Sequence, residues 1–192
     1  MFYRLASLVV LFSCFCAVTP SAGADGVLLD VPFIKQEKDG CGAASVAMVM
    51  QYWLKQQGRS DTGSADATVI HRALLAPGGN GVYASAIKRY FEQSGFSTYP
   101  FRGEWNDLQD HLLKGRPLIV ALRSSAGEAS LHYVVVAGLD SQAGIVSLND
   151  PARRKLLKLS RSDFEKQWNG SNQWTLLAVP RPVDQDDSKG SG

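Results

Sequence analysis

Residues 41–54 read CGAASVAMVMQYWL, apolar or small at nearly every position. The run is too long for a strand and has no polar stripe, so it predicts a central helix buried nearly all round. Residues 27–34, just ahead of it, alternate and predict a short strand or an extended lead-in, followed by a polar loop at 35–40. A second loop is expected at 58–63. Residues 65–75 and 82–93 predict two amphipathic helices, separated by the turn Pro77-Gly78-Gly79-Asn80-Gly81. Residues 96–101 predict a strand, and 105–114 a short helix that Gly115 ends.

The second half changes period. Residues 117–122, 131–139, 144–149, 155–159 and 174–179 are β-rich runs and predict strands. One helix at 162–168 interrupts them, and the Ser160 hydroxyl is placed to satisfy an orphan N–H at its start. Helices first and strands later predict an α+β domain, with helices on one side of an antiparallel sheet. The domain is expected over residues 25–180, and the polar composition of 181–192 predicts a disordered tail.

The first 24 residues have a separate logic. Arg4 supplies a positive charge, residues 5–18 are apolar apart from the small Ser7 and Ser13, and Ala22 and Ala24 follow in a small-x-small arrangement. This is the pattern of a secretory signal peptide, cut after Ala24. The apolar run is shorter than the roughly 20 residues that span a bilayer, so no stable membrane anchor is expected after cleavage. The expected location is the periplasm or the medium. Cleavage also removes Cys14 and Cys16 and leaves Cys41 as the one cysteine. Exported proteins usually pair their cysteines, so a lone one is either buried and inert or reactive. The net charge of +2 on 192 residues is too small for a dedicated nucleic-acid binder.

Cys41 falls where the polar loop meets the buried helix. Unpaired N–H groups and the positive end of the helix dipole favour a thiolate there, and Asp39 and Gly40 are candidate caps. His132 opens the strand HYVVVAGL. Asp150 follows the strand IVSLN and precedes Pro151. Strand neighbours face opposite ways, so only one of Asn149 and Asp150 can turn toward His132. Cysteine catalysis needs a base within reach of sulfur and a third group to hold the imidazole; a helix N-terminus and two adjacent strands supply all three. Gln36, in the loop before the helix, has an amide able to donate to an oxyanion beside the Cys41 backbone N–H. His71 and His111 read as surface residues. One cysteine and three scattered histidines show no metal-ligand spacing, so neither a metal nor a cofactor is expected.

The strings VPFIKQEKDGCGAASVAMVMQYW, LHYVVVAGLD and VSLNDPA, with SRSDFEKQWNG after them, resemble the bacteriocin-leader (double-glycine) peptidases, which are papain-like cysteine peptidases. The resemblance runs from about residue 30 to 179. It implies a papain-like α+β fold, Cys41 as nucleophile, His132 as general base and then acid, Asp150 as the group orienting His132, and Gln36 as oxyanion donor. The family usually sets this glutamine six residues before the cysteine; here the interval is five. The best-known members are cytoplasmic domains fused to an exporter, whereas the signal-peptide pattern makes this chain similar to stand-alone, exported members. The implied partner is a peptide or protein substrate. Two rivals remain at this level: a papain-like acyltransferase that passes the acyl group to an amine or thiol, and a catalytically inactive peptide-binding domain.

Overall fold

A computed structural model describes residues 26–59, 63–75, 81–123 and 131–182. The expected signal peptide, most of the turn at 77–81 and the tail beyond residue 182 lie outside the described residues. In chain order the elements are β1 (Gly26–Leu28), α1 (Cys41–Gln56), a 3-10 turn (Gly63–Ala65), α2 (Ala67–Leu74), α3 (Ala84–Gln93), β2 (Phe96–Arg102), α4 (Trp105–Leu113), β3 (Leu118–Leu122), β4 (His132–Asp140), β5 (Ile145–Asp150), β6 (Arg154–Ser160), α5 (Arg161–Asn169) and β7 (Trp174–Pro180). The strands form one sheet in the order β2-β7-β3-β4-β5-β6, with β1 added alongside the far end of β4. Every pairing is antiparallel. This is the expected α+β class.

Helices cover both faces of this sheet rather than one. On the first face, Val46, Val49, Met50, Ile87 and Phe91 from α1 and α3 meet Ile119, Ala121, Tyr133, Val135 and Leu176. On the second, Trp105, Leu108 and Leu112 of α4 and Phe164 and Trp168 of α5 meet Leu118, Val120, Val134, Val136 and Leu177. The cause is in the strands themselves. LIVAL and the middle of HYVVVAGLD are apolar at every position and buried throughout, so either face left open would expose a row of Val and Leu.

Residues 42–50 of α1 are all buried, as the pattern required. Gly42 lets α3 approach closely: a Cβ there would lie 3.1 Å from Val82 and 3.3 Å from Ile87 Cδ1. Two hydrogen bonds fix the C-terminal end of α1: Tyr52 Oη donates to the Gly115 carbonyl at 2.9 Å and Trp53 Nε1 to the Ala178 carbonyl at 3.0 Å. At its other end α1 begins at Cys41 with Gly40 as N-cap and no side-chain cap. Asp39 does not cap; it takes a left-handed backbone (φ 57°) that turns the loop into the helix. Ser160 does cap α5, accepting from the Asp163 N–H at 3.1 Å.

β4 carries the main irregularity. Its register against β5 shifts between Val136 and Gly138. β1 crosses so close there that a Cβ on Gly138 would lie 2.7 Å from Leu28 Cδ1 and 2.8 Å from the Val27 carbonyl oxygen. Only glycine lets β1 join the sheet at this point.

Candidate active site

Cys41 is the first residue of α1, His132 the first of β4 and Asp150 the last of β5. β4 and β5 run antiparallel with Val135 opposite Asn149, so the start of one strand and the end of the other share an edge of the sheet. His132 Nε2 and Asp150 Oδ1 are 2.8 Å apart, with the carboxylate almost fully buried and the imidazole about one-third exposed (32%). The opposite side of the ring, Nδ1, is left for Cys41, whose sulfur is hydrogen-bonded by His132 and by the backbone N–H groups of Tyr133 and Gly42. The structure therefore brings Cys41, His132 and Asp150 into one chain of contacts.

The electrostatics follow from those contacts. Burial pushes the Cys41 thiol up, but the hydrogen bonds and charge of His132 and the two backbone donors outweigh it and leave the thiol below its ordinary range. Burial pushes His132 down, and the Asp150 and Cys41 partners more than reverse this, raising it to about 9. Burial pushes Asp150 up, while His132, the Ala152 N–H and Arg153 bring it below the usual carboxylate range. Each partner stabilises the other's charged form. All three shifts run toward the row of thiolate, imidazolium and carboxylate. The Tyr133 phenol, raised to about 12 by burial and by the Cys41 charge, stays neutral beside them.

The neighbouring asparagine takes another part. Asn149 is fully buried and faces away from His132. Its Nδ2 donates to the Val31 carbonyl at 3.1 Å and the Pro32 carbonyl at 3.3 Å, and its Oδ1 accepts the Leu156 N–H at 3.1 Å. Leu156 needs that partner because β6 bulges there: the register against β5 shifts between Leu148 and Asp150, and Leu156 has a positive φ of 51°. Asn149 thus ties the lead-in loop, β5 and β6 together behind Asp150. The turn after β5 helps as well. Asp150 Oδ1 accepts the Ala152 N–H at 3.0 Å, and the Pro151 carbonyl accepts the Gln36 N–H at 3.0 Å.

That last bond places Gln36 in the loop next to Asp150. Its side-chain Oε1 is buried without a hydrogen-bond partner, and Gln36 lines a cavity of about 190 Å³ together with Gly40, Ala43, Ala44, Thr68 and His71. His71 is not a free surface residue: its Nε2 is buried there, also without a partner. His111 is likewise half-buried, with its ring 5.9 Å from Phe101. It lines a groove of about 930 Å³ with Trp53, Tyr99, Leu177 and Val179. This larger groove lies near the far end of α1, some 12 residues or about 18 Å of helix from the thiol, and is not the site of the sulfur chemistry.

Comparison with known proteins bears on the family and the fold. The model of the Peptidase_C39 like family matches residues 28–175. The chain belongs to that family. C39-like membership makes it a cysteine-type peptidase, a hydrolase, and accords with the double-glycine peptidase resemblance of its motifs. The C39-like chain is 31% identical over 151 residues to the transport/processing ATP-binding protein ComA of Streptococcus pneumoniae. The match covers 74% of this chain and 18% of ComA, so the chain spans less than a fifth of that relative. Among solved structures it is similar to a C39-like peptidase from Bacillus anthracis (TM-score 0.60, 19% identity, 82% of this chain and 99% of that one). It is similar also to the peptidase domain of Streptococcus ComA (0.59, 22%, 79% and 99%). A third is the double-glycine-motif protease of an AMS/PCAT transporter in complex with the leader peptide (0.55, 25%, 81% and 95%). These likenesses bear out the papain-like fold.

Proposed function

We propose that this protein hydrolyses peptide bonds through Cys41, His132 and Asp150, and that it acts outside the cytoplasm. The observation that carries the reading is the position of His132, bonded to Asp150 through Nε2 and to the Cys41 sulfur from its other side. The thiolate attacks the carbonyl carbon of the scissile bond, and the carbonyl π electrons move to oxygen. The Cys41 backbone N–H, in the first turn of α1 and without an intrahelical acceptor, and the Gln36 amide stabilise that oxyanion. Collapse breaks the C–N bond as the imidazolium gives its proton to the leaving amine. Water then attacks the thioester, His132 accepts its proton, and the thiolate is released. Asp150 holds the ring in register and keeps the imidazolium charged throughout.

The substrate class in this reading is a peptide. A relative of 25% identity was captured with a leader peptide, so peptides carrying a Gly-Gly leader junction are the first to try, alongside an unbiased peptide mixture. The test is product mass spectrometry with wild type and Cys41→Ala. Cleavage by wild type alone is expected. Equal products from both proteins, or none from either across the mixture, would sink the reading, and acyl transfer to an added amine in place of hydrolysis would redirect it to the transferase rival. Export rests on the pattern of residues 1–24. Protein recovered outside the cytoplasm with Asp25 as its first residue is expected; cytoplasmic protein retaining residues 1–24 would refute it.

A further inference from the structure

Ser45 is fully buried in an Ala-rich helix, and its hydroxyl donates to the Tyr133 carbonyl at 3.1 Å. It lies four residues after Cys41, so both side chains leave α1 on one face, one above the other. The same residue of β4 meets both: the Tyr133 N–H reaches the Cys41 sulfur and the Tyr133 carbonyl receives Ser45. The partnering is possible because β5 begins to pair with β4 only at Val135. At Tyr133 β5 does not lie alongside, and the first turn and a half of α1 takes that place.

We infer that Ser45 is a positioning residue for the nucleophile: its hydroxyl holds the Tyr133 carbonyl and so aims the Tyr133 N–H at the Cys41 sulfur. The inference rests on the proposed thiolate chemistry and adds to it a residue that touches neither substrate nor sulfur. Its logic is geometric. The N–H and C=O of one strand residue point to the same side, so fixing one fixes the other. A thiolate gains from each N–H directed at it. Because Tyr133 follows His132 directly, the clamp also sets the height of the imidazole against the sulfur. The ionisable groups around the sulfur are His132 and the Tyr133 phenol from β4, with Asp150 of β5 behind the imidazole.

The test is the pH profile of Cys41 alkylation, read by mass spectrometry on the Cys41 peptide of the full chain, for wild type, Ser45→Ala and Ser45→Thr. Ser45→Ala should raise the apparent thiol pKa by about one unit, making alkylation below both values about tenfold slower. It should lower kcat more than it changes KM. Ser45→Thr keeps the hydroxyl and should return the profile toward wild type. A Ser45→Ala profile that superimposes on wild type overturns the inference, as does a threonine variant that behaves like alanine. A measurement on wild type alone guards against a variant that fails to fold. The Tyr133 amide resonance should titrate with Cys41, and the Ser45 hydroxyl proton should exchange slowly; a fixed amide resonance or a hydroxyl exchanging at the solvent rate contradicts the clamp. Failure of the underlying chemistry looks different: wild type itself would then alkylate as an ordinary thiol.

Discussion

Replacing Asp150 by asparagine removes one charge and leaves the shape of the site. The wild-type imidazole is raised from 6.5 to about 9, and at about 1.4 kcal/mol per unit this is some 3.4 kcal/mol in favour of the charged ring. The ring is about one-third exposed and Cys41 shares the effect. After discounting for solvent, about 2 kcal/mol, or roughly 1.5 units, falls to the carboxylate. In Asp150→Asn the ring should then lose its proton near pH 7.5. At pH 8.5 the imidazolium fraction drops from about three-quarters to about one-tenth, an approximately eightfold loss, while near pH 6 it barely changes. The assay is peptide hydrolysis from pH 5 to 10, which needs the imidazolium as acid, with its alkaline limb moving down by more than a unit. An alkaline limb that stays near 9, or a loss equal at every pH, would refute the reasoning. Stability should follow the same signs. The raised His132 contributes fully below 6.5 and loses its contribution as pH rises through 9. The depressed Asp150 contributes above its unfolded value and loses its contribution as pH falls through the lowered one. The advantage of wild type over Asp150→Asn should therefore be greatest between about 4 and 6.5.

Gln36→Ala should lower kcat by about 10²- to 10³-fold while leaving the Cys41 alkylation profile in place, because the amide acts on the oxyanion and not on the thiolate; a shifted alkylation profile would argue against that role. Asn149→Ala strips partners from the Val31 and Pro32 carbonyls and the Leu156 N–H. It should cost about 3 kcal/mol and lower Tm by roughly 10 °C in calorimetry. Gly103→Ala would put a Cβ 2.6 Å from Thr175 Oγ1 and 2.8 Å from Trp168 Cζ2. A loss of about 1–3 kcal/mol is expected in urea titration, and unchanged stability would mean that α5 yields there.

The elements of this fold were legible because local pattern governs them. The all-round apolar character of 41–54 could belong only to a helix with neighbours on every side, and the β-branched runs of the second half could belong only to covered strands. Of the expected span 27–34, residues 29–34 did not become strand because Pro32 has no N–H to give a ladder; the segment is held by the Leu29 and Gln36 backbone bonds at its ends and by Asn149 in between. Legibility ended where distant parts of the chain decide the outcome. Nothing local says that β7 lies between β2 and β3, or that α4 and α5 cover the second face. The choice between Asn149 and Asp150 was open from alternation alone. It is settled by the bulge at Leu156, which draws the asparagine to the side opposite His132. Ser45 gave no signal of its own, since a serine among alanines resembles filler until Tyr133 is seen in front of it.

The last of the described strands lies inside the sheet, one place in from the edge strand β2. β7 pairs with β2 on one side and β3 on the other, and no pairing joins β2 to β3 directly. A nascent chain that has reached Gln173 holds all of the sulfur, imidazole and carboxylate groups, yet β2 has no pairing to the sheet of β1 and β3 to β6. Closing the loops that bring β7 home is the slow, entropically costly step expected of such non-local pairings. Cys41 is thus written early in the message, and the frame around it closes late. Synthesis runs through β7 before the chain acquires the rigid frame that the proposed reading needs to turn Cys41 on another polypeptide.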